Sequence, residues 1–114
     1  MVQVRSVPGL HLSVFKLNGG GTLGTHTYDA VTILENSGYV GIGVTAPNEK
    51  LEVEGNIRVG TSTNKANIEA GNGVPSHSAP KGTLYINTGA TGSTNRLYIN
   101  TNGSTSWAYI AASA

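Results

Sequence analysis

The residues from Gly38 to Val59 alternate between apolar side chains and small or polar ones. In the first half Val40, Ile42 and Val44 are separated by single glycines, and in the second half apolar residues alternate with Glu, Asn and Arg. A period of two places successive side chains on opposite faces of a strand, whereas an amphipathic helix repeats at three and four. Pro47-Asn48 separates the halves and is typical of a turn. The segment therefore predicts two half-buried strands joined by a polar turn.

Turn-forming residue types dominate the composition. Gly, Ser, Thr and Asn make up 50 of the 114 residues. Gly loses much backbone entropy in a helix, and Ser and Asn side chains compete for the hydrogen bonds of the helix backbone. A weak helical alternative covers Thr63 to Ala70, but its apolar residues are spaced by two, which again favours a strand. We therefore expect an all-β fold with almost no helix.

Short strands separated by turns favour antiparallel pairing in a small sandwich or a β-prism-like arrangement. A chain of 114 residues has room for one core at most. In the first strand the apolar side changes after Val14, which predicts a β-bulge or a change of partner strand. The predicted strands cover residues 10–17, 30–34, 39–44, 50–59, 67–69, 83–87, 96–100 and 107–110.

The pentapeptide Leu-Tyr-Ile-Asn-Thr occurs twice, at 84–88 and at 97–101. We expect the two copies either to pair as an antiparallel hairpin or to stack as equivalent strands. In both arrangements the Leu and Ile side chains face one side and the tyrosines face the other. Aromatic packing between strands explains this pattern more simply than a ligand-stacking platform. The aromatic residues of this region are Tyr85, Tyr98, Trp107 and Tyr109.

Charge and cysteine content narrow the classes of partner. Seven basic and six acidic residues give a net charge of +1, which provides no electrostatic footprint for nucleic acid or an anionic membrane. The chain contains no cysteine, so it has no disulfide and no thiolate site, as suits a protein made in a reducing cytosol. The apolar runs are only a few residues long, so the sequence predicts neither a membrane span nor a secretory signal.

Catalytic and cofactor motifs are weak. Residues 41–46 read Gly-x-Gly-x-x-Ala, but a dinucleotide site needs a helix directly afterwards, and here Pro47-Asn48 and a strand follow. The pair His26 and Asp29 with a distant Ser resembles a hydrolytic set, yet a local turn explains it better in a chain this rich in Ser and Thr. We therefore predict no catalytic residue, no cofactor and no metal ligand; three copies of His77 meeting on a trimer axis are the metal-binding alternative.

Two segments carry a family resemblance. Residues 40–59 resemble the element V-G-I-G-x-T-x-P-x-x-K-L-x-V-x-G-N-I-x-V of bacteriophage tail fibres and other virion appendage proteins, and depart from it at Val44-Thr45, where two threonines are commoner. Residues 79–88 and 95–110 are similar to C-terminal segments of many phage structural proteins. Proteins of this type are commonly parallel homotrimers, so the resemblance implies an intertwined homotrimer with a shared core.

Glycines in the first segment support the trimer, because Gly41, Gly43 and Gly55 leave space for a second backbone to approach. The residues expected to pack between strands or subunits are Val40, Gly41, Ile42, Gly43, Val44, Leu51, Val53, Ile57 and Val59.

The resemblance implies a non-enzymatic structural protein on the outer surface of a phage particle, assembled in the host cytoplasm. Residues 1–35 are expected to hold an N-terminal arm and the first strands for attachment or trimer contacts, 36–73 the strand-turn-strand element, and 74–114 the C-terminal hairpin. The short chain favours a capsid decoration (cement) protein or a short head fibre, with itself and the major capsid protein or another virion protein as partners. The alternative is a tail-fibre module that binds host surface carbohydrate through Tyr85, Tyr98, Trp107 and Tyr109.

Overall fold

A computed structural model describes residues 2–5, 9–17, 23–92 and 94–111, and these residues form strands and turns with no helix. The all-β prediction is therefore confirmed. The strands are β1 (Val2–Arg5), β2 (Leu10–Leu17), β3 (Leu23–Ile33), β4 (Val40–Ile42), β5 (Leu51–Val53), β6 (Ile57–Gly60), β7 (Lys65–Gly71), β8 (Leu84–Asn87), β9 (Leu97–Asn100) and β10 (Trp107–Tyr109).

The chain divides into two compact units, Met1–Glu54 (unit 1) and Gly55–Ala114 (unit 2). The sheet of unit 1 has the strand order β1-β2-β3-β4-β5, and the sheet of unit 2 has the order β10-β9-β8-β7-β6. The prediction of one continuous strand over residues 50–59 is wrong, because the chain breaks at Gly55, whose φ is +121°. A side chain rarely tolerates that backbone angle, and the break sends β5 and β6 into different sheets.

Both sheets are mixed, so the expectation of antiparallel pairing is wrong at one pair in each sheet. β4 pairs with β5 in parallel, and β7 pairs with β8 in parallel, whereas the other neighbours are antiparallel. A parallel pair needs a connection that returns to the starting end of the sheet. Residues 43–50 and 72–83 make these returns, so the turn around Pro47-Asn48 is a crossover and not a hairpin turn.

Two local predictions are confirmed. The register of β2 against β3 shifts at three places between Leu12 and Leu17, as expected for a bulged strand. The two pentapeptide copies form the antiparallel hairpin β8–β9, in which Tyr85 lies opposite Tyr98. The predicted strand at 30–34 covers only the last part of β3. The predicted N-terminal arm contains β1, which pairs with β2. Residues 1 and 6–8 of that arm lie outside the described residues.

Gly41 has a structural explanation within one chain. A Cβ at this position would lie 2.1 Å from the backbone oxygen of Val44, because the chain turns back after β4. The close approach that the sequence suggested for a second backbone is thus made at Gly41 by the chain itself. At Gly43 the backbone φ of +75° is the reason for glycine.

Replacing Gly41 by Ala should therefore lower the free energy of unfolding by about 1 to 3 kcal/mol, as overpacking does at tight sites. Denaturant titration at a fixed protein concentration measures this change. Gly92→Ala is the matched control, since a Cβ there has only the Thr94 nitrogen nearby, at 3.9 Å, and its effect should stay within about 0.5 kcal/mol. Equal stability of the two variants would contradict the steric argument.

Candidate assembly surface

The sheet of unit 2 places all of its aliphatic side chains on one side. The strand register aligns Ile57, Ile68, Leu84 and Ile99 in one row across the sheet. All charged residues of these strands lie at the alternate positions and belong to the other side. We call the first side the apolar face of unit 2; it consists of Ile57, Val59, Ala66, Ile68, Ala70, Leu84, Ile86, Leu97, Ile99 and Ala108.

The apolar face of unit 2 is largely open to water. Val59 is 57% exposed and Ile86 is 47% exposed, and Ile57, Ile68 and Leu84 are also exposed. Folded chains usually remove residues of this type from water, and a contiguous apolar patch marks a contact site. This face is therefore the strongest candidate for an interaction surface in unit 2.

The opposite side of the same sheet is polar and largely buried, apart from the exposed Arg58 and Tyr109. It carries Asn67, Glu69, Asn87 and Asn100, which are all buried, together with the tyrosines. The connection between β7 and β8 lies over this side: the Trp107 indole nitrogen donates a hydrogen bond to the backbone oxygen of His77 at 3.0 Å. The chain thus covers the polar face with its own connection and leaves the apolar face uncovered.

A chain of side-chain hydrogen bonds satisfies the buried polar face. The Arg58 Nε donates to Asn67 Oδ1 at 3.0 Å, and Asn67 Nδ2 donates to Glu69 Oε1 at 2.8 Å. The other carboxylate oxygen of Glu69 lies 2.7 Å from His77 Nε2. Among the described side chains, no buried nitrogen or oxygen lacks a hydrogen-bond partner. The buried polar groups of this face are therefore satisfied by the described residues themselves.

The aromatic residues form part of this covered side. Tyr85 and Tyr98 are buried, with ring centroids 6.5 Å apart in an edge-to-face arrangement. Trp107 is half-buried against the rings of Tyr85 and His77, at 5.9 and 5.2 Å. Of the four residues considered for carbohydrate binding, Tyr109 is the most open, at 56% exposed. The cluster has the geometry of aromatic packing inside a fold.

Unit 1 has the same division between its two sides. Leu10, Ile33, Val40 and Leu51 align in one row across the sheet, and Leu12, Val31, Ile42 and Val53 align in the next. We call these eight residues the apolar face of unit 1. Leu51 is 58% exposed, and Leu10, Leu12 and Ile42 are also exposed.

Buried polar residues lie on the opposite side of the unit 1 sheet. His11 Nδ1 lies 3.3 Å from Asp29 Oδ2 and 3.2 Å from Thr32 Oγ1, and Ser13 Oγ donates to Asp29 Oδ1. In a hydrolytic triad the serine donates to the imidazole, whereas Ser13 donates to the carboxylate. The sequence paired Asp29 with His26, whose side chain lies outside the described residues; the structure places His11 beside Asp29.

The structure distributes the predicted packing residues over both units. Val40, Ile42, Leu51 and Val53 lie on the apolar face of unit 1, and Ile57 and Val59 lie on that of unit 2. Gly41 is buried on the other side of its strand, and Gly43 and Val44 follow β4. Sequence reasoning missed that the aliphatic side of each sheet stays largely exposed, because strand alternation gives the two sides of a sheet but not which side is covered.

His77, the alternative metal ligand, is bound to Glu69. No group of three or more His, Asp or Glu that could hold a metal ion occurs within the part of the chain that the structure describes. No helix there has the length and apolarity to cross a membrane. Comparison of the chain with protein-family models, curated proteins and solved structures gives no match.

The Glu69–His77 contact should stabilise unit 2. Glu69→Ala leaves Asn67 and His77 without their acceptor and should cost about 1 to 3 kcal/mol of unfolding free energy. Chemical denaturation of this variant, of His77→Ala and of the double variant gives the coupling energy, which should be on the order of 0.5 to 3 kcal/mol. Glu49→Ala, at an exposed position, is the control. A coupling energy of zero would show that the contact does not hold the connection in place.

Proposed function

We propose that this chain is a non-enzymatic structural protein of a bacteriophage virion and acts as a homotrimer, either as a capsid decoration (cement) protein or as a short head fibre. The observation that carries the proposal is the open apolar face of each unit. The resemblance of residues 40–59 to phage appendage proteins supports the same assignment.

The presence of an open apolar face in each unit favours assembly. The unit 2 sheet is five strands wide, and with strands about 4.8 Å apart and about four residues of 3.3 Å each it presents roughly 300 Å² of flat sheet. A typical monomer exposes one apolar patch of about this size. This chain exposes one such face in each unit, and burial of apolar surface releases about 25 cal/mol per Å².

A second and a third copy of the chain are the occupants that suit these faces best. Both faces consist of Val, Leu, Ile and Ala and carry no charge, so they offer no electrostatic match to a charged partner. Identical aliphatic faces arranged around a threefold axis form a closed shared core. In that arrangement the polar faces lie away from the axis, which agrees with the β7–β8 connection lying over the polar face of unit 2.

The trimer stabilises a shell without catalysis. A decoration protein that binds neighbouring capsid subunits in the assembled shell, and not the separated subunits, stabilises the shell by mass action. The N-terminal segment is our candidate for the attachment element, and the major capsid protein or another virion protein is the partner. The net charge of +1 agrees with a location on the outer surface, away from nucleic acid.

Solution mass tests the trimer. The wild-type protein should have three times the 11.7 kDa of one chain, measured by light scattering over a range of concentrations. Ile86→Asp should give a monomer, because it brings three carboxylates into the shared core, and each costs several kcal/mol to desolvate. Thr105→Asp adds the same charge at an exposed turn and should remain trimeric. A wild-type monomer, or a trimeric Ile86→Asp protein, would contradict the proposal.

Binding of the purified protein to capsids or to host cells tests where on the phage particle it is located. The trimer should bind in a saturable way to undecorated capsids of the phage that encodes it and should raise the temperature at which these capsids open. Binding to host cells that is lost on Tyr109→Ala, with no binding to capsids, would favour the tail-fibre module that recognises host carbohydrate. The exposed ring of Tyr109 is the feature that supports that second function.

A further inference from the structure

Two Asn-Gly pairs lie in turns of unit 2, at Asn72-Gly73 and Asn102-Gly103. An Asn followed by Gly is prone to spontaneous deamidation, because glycine has no side chain to hinder attack by its backbone nitrogen on the preceding side-chain amide. Both glycines have left-handed backbone angles, with φ of +97° and +76°. The turns therefore require glycine at these positions. Because an Asn precedes each glycine, the requirement also creates a dipeptide that is prone to deamidation.

The backbone nitrogen of each glycine is held by a buried amide. Gly73 N donates a hydrogen bond to Asn87 Oδ1 at 2.9 Å, and Gly103 N donates to Asn100 Oδ1 at 2.7 Å. Asn87 and Asn100 are the equivalent Asn residues of the two pentapeptide copies. Asn100 is only 1% exposed, and Asn87 is also buried. The repeat thus places the same acceptor against both glycines.

The acceptor amides are themselves fixed in position. Asn87 Nδ2 donates to the backbone oxygen of Asn95 at 2.9 Å, and Asn100 Nδ2 donates to that of Ser104 at 2.6 Å. With the NH₂ group bound in this way, the oxygen of each amide must point toward the glycine. Asn87 Oδ1 accepts a second bond, from Gly89 N at 3.0 Å. Hydrogen bonds on both polar atoms thus fix the orientation of each acceptor amide.

We propose that Asn72 and Asn102 are deamidation sites that Asn87 and Asn100 keep unreactive in the native fold. Reaction requires the glycine nitrogen to lose its proton to solvent base and to attack Cγ of the preceding Asn. A nitrogen whose hydrogen is bonded to a buried oxygen keeps that proton and is directed away from Cγ. Local opening of the turn breaks this bond and makes the site reactive.

The reaction needs only water. The glycine nitrogen forms a bond to Asn Cγ, the bond from Cγ to the side-chain nitrogen breaks, and that nitrogen leaves as ammonia with a proton from solvent. Water then opens the cyclic imide at either carbonyl and yields aspartate or isoaspartate. Each event adds one negative charge and removes the amide of a turn residue.

Asn102 has additional protection. Its Oδ1 accepts hydrogen bonds from Ser104 N at 2.8 Å and Ser106 N at 3.2 Å, and its Nδ2 donates to Ser106 Oγ at 2.9 Å. These bonds hold the carbon that would be attacked as well as the attacking nitrogen. In the native protein Asn72 should therefore react faster than Asn102.

Aged wild-type protein gives the first test. Trypsin separates the sites, with Asn72 in the peptide 66–81 and Asn102 in the peptide 97–114, and mass spectrometry measures the conversion of each. Both sites should react at least about tenfold more slowly in the native protein than in urea, which corresponds to about 1.4 kcal/mol in the barrier. Hydrogen exchange of the Gly73 and Gly103 amides should be slowed by a similar factor. Unprotected glycine amides, or equal native and denatured rates, would overturn the proposal.

Side-chain variants give the second test. Asn87→Ala should raise the deamidation rate of Asn72 about tenfold and leave that of Asn102 unchanged. Asn100→Ala should raise the rate of Asn102 about tenfold and leave that of Asn72 unchanged. A tenfold change again corresponds to about 1.4 kcal/mol in the barrier. Asn87→Asp keeps an oxygen acceptor for Gly73 but loses the bond to the Asn95 oxygen, so Asn72 should react more slowly than in Asn87→Ala and in the denatured protein. An equal rise at both sites in each alanine variant would overturn the proposal, since the fold as a whole would then provide the protection. If an alanine variant fails to fold, the proposal is tested by the deamidation rate of Asn72 in Asn87→Asp and by the hydrogen-exchange rates of the Gly73 and Gly103 amides in the wild-type protein. None of these outcomes depends on the proposed virion function.

Discussion

Each sheet of this protein has an aliphatic side that is largely exposed and a polar side that holds buried, hydrogen-bonded residues. In unit 2 the connection that carries His77 lies over Glu69 and the tyrosines, and the row through Leu84 and Ile99 stays open. In unit 1 His11 and Thr32 are buried. In the described part of the chain, a single copy therefore satisfies its buried polar side chains but leaves much of its aliphatic surface in water. Burial of these exposed aliphatic faces against other copies of the chain is the main way in which the protein can gain further stability.

The division of each sheet into an aliphatic and a polar side accounts for the unusual amino-acid composition. A chain in which 50 of 114 residues are Gly, Ser, Thr or Asn has little aliphatic mass. Burying that mass within each chain would leave a thin core, whereas three copies can share one. Hydrogen bonds from Asn side chains hold the turns on the covered side, as Asn87 and Asn100 do at the ends of their strands. In the proposed homotrimer, stability is divided between polar bonds within a chain and apolar contacts between chains.

Part of this structure follows from the sequence. The period of two predicts the strands, and the repeated pentapeptide predicts the pairing of Tyr85 with Tyr98, because local alternation determines which side chains share a face. The break at Gly55 was not predictable, since the alternation runs through it. The parallel pairs also escaped prediction, because the direction in which residues 43–50 and 72–83 return depends on long-range pairing.

The candidate surface was predicted in its residues but not in its exposure. Val40, Ile42, Leu51 and Val53 follow from the alternation, yet periodicity does not say which side of a sheet the connections will cover. In the aromatic cluster, the tyrosines alternate with Leu and Ile, so both sides of the hairpin look suitable for a core. The hydrogen bond between Trp107 and His77, thirty residues apart, shows that the β7–β8 connection covers the tyrosine side. No local sequence pattern indicates this contact.

Thiol accessibility at one position of the apolar face tests the shared core most directly. The chain contains no cysteine, so Ala70→Cys introduces a single thiol on the apolar face of unit 2, and Thr105→Cys introduces one at an exposed turn. Reaction with a polar thiol reagent should be rapid at position 105. At position 70 it should be slow in the native protein and rapid in urea, because other copies cover the face. Equal native rates at the two positions would show that the apolar face remains in water and would contradict the account.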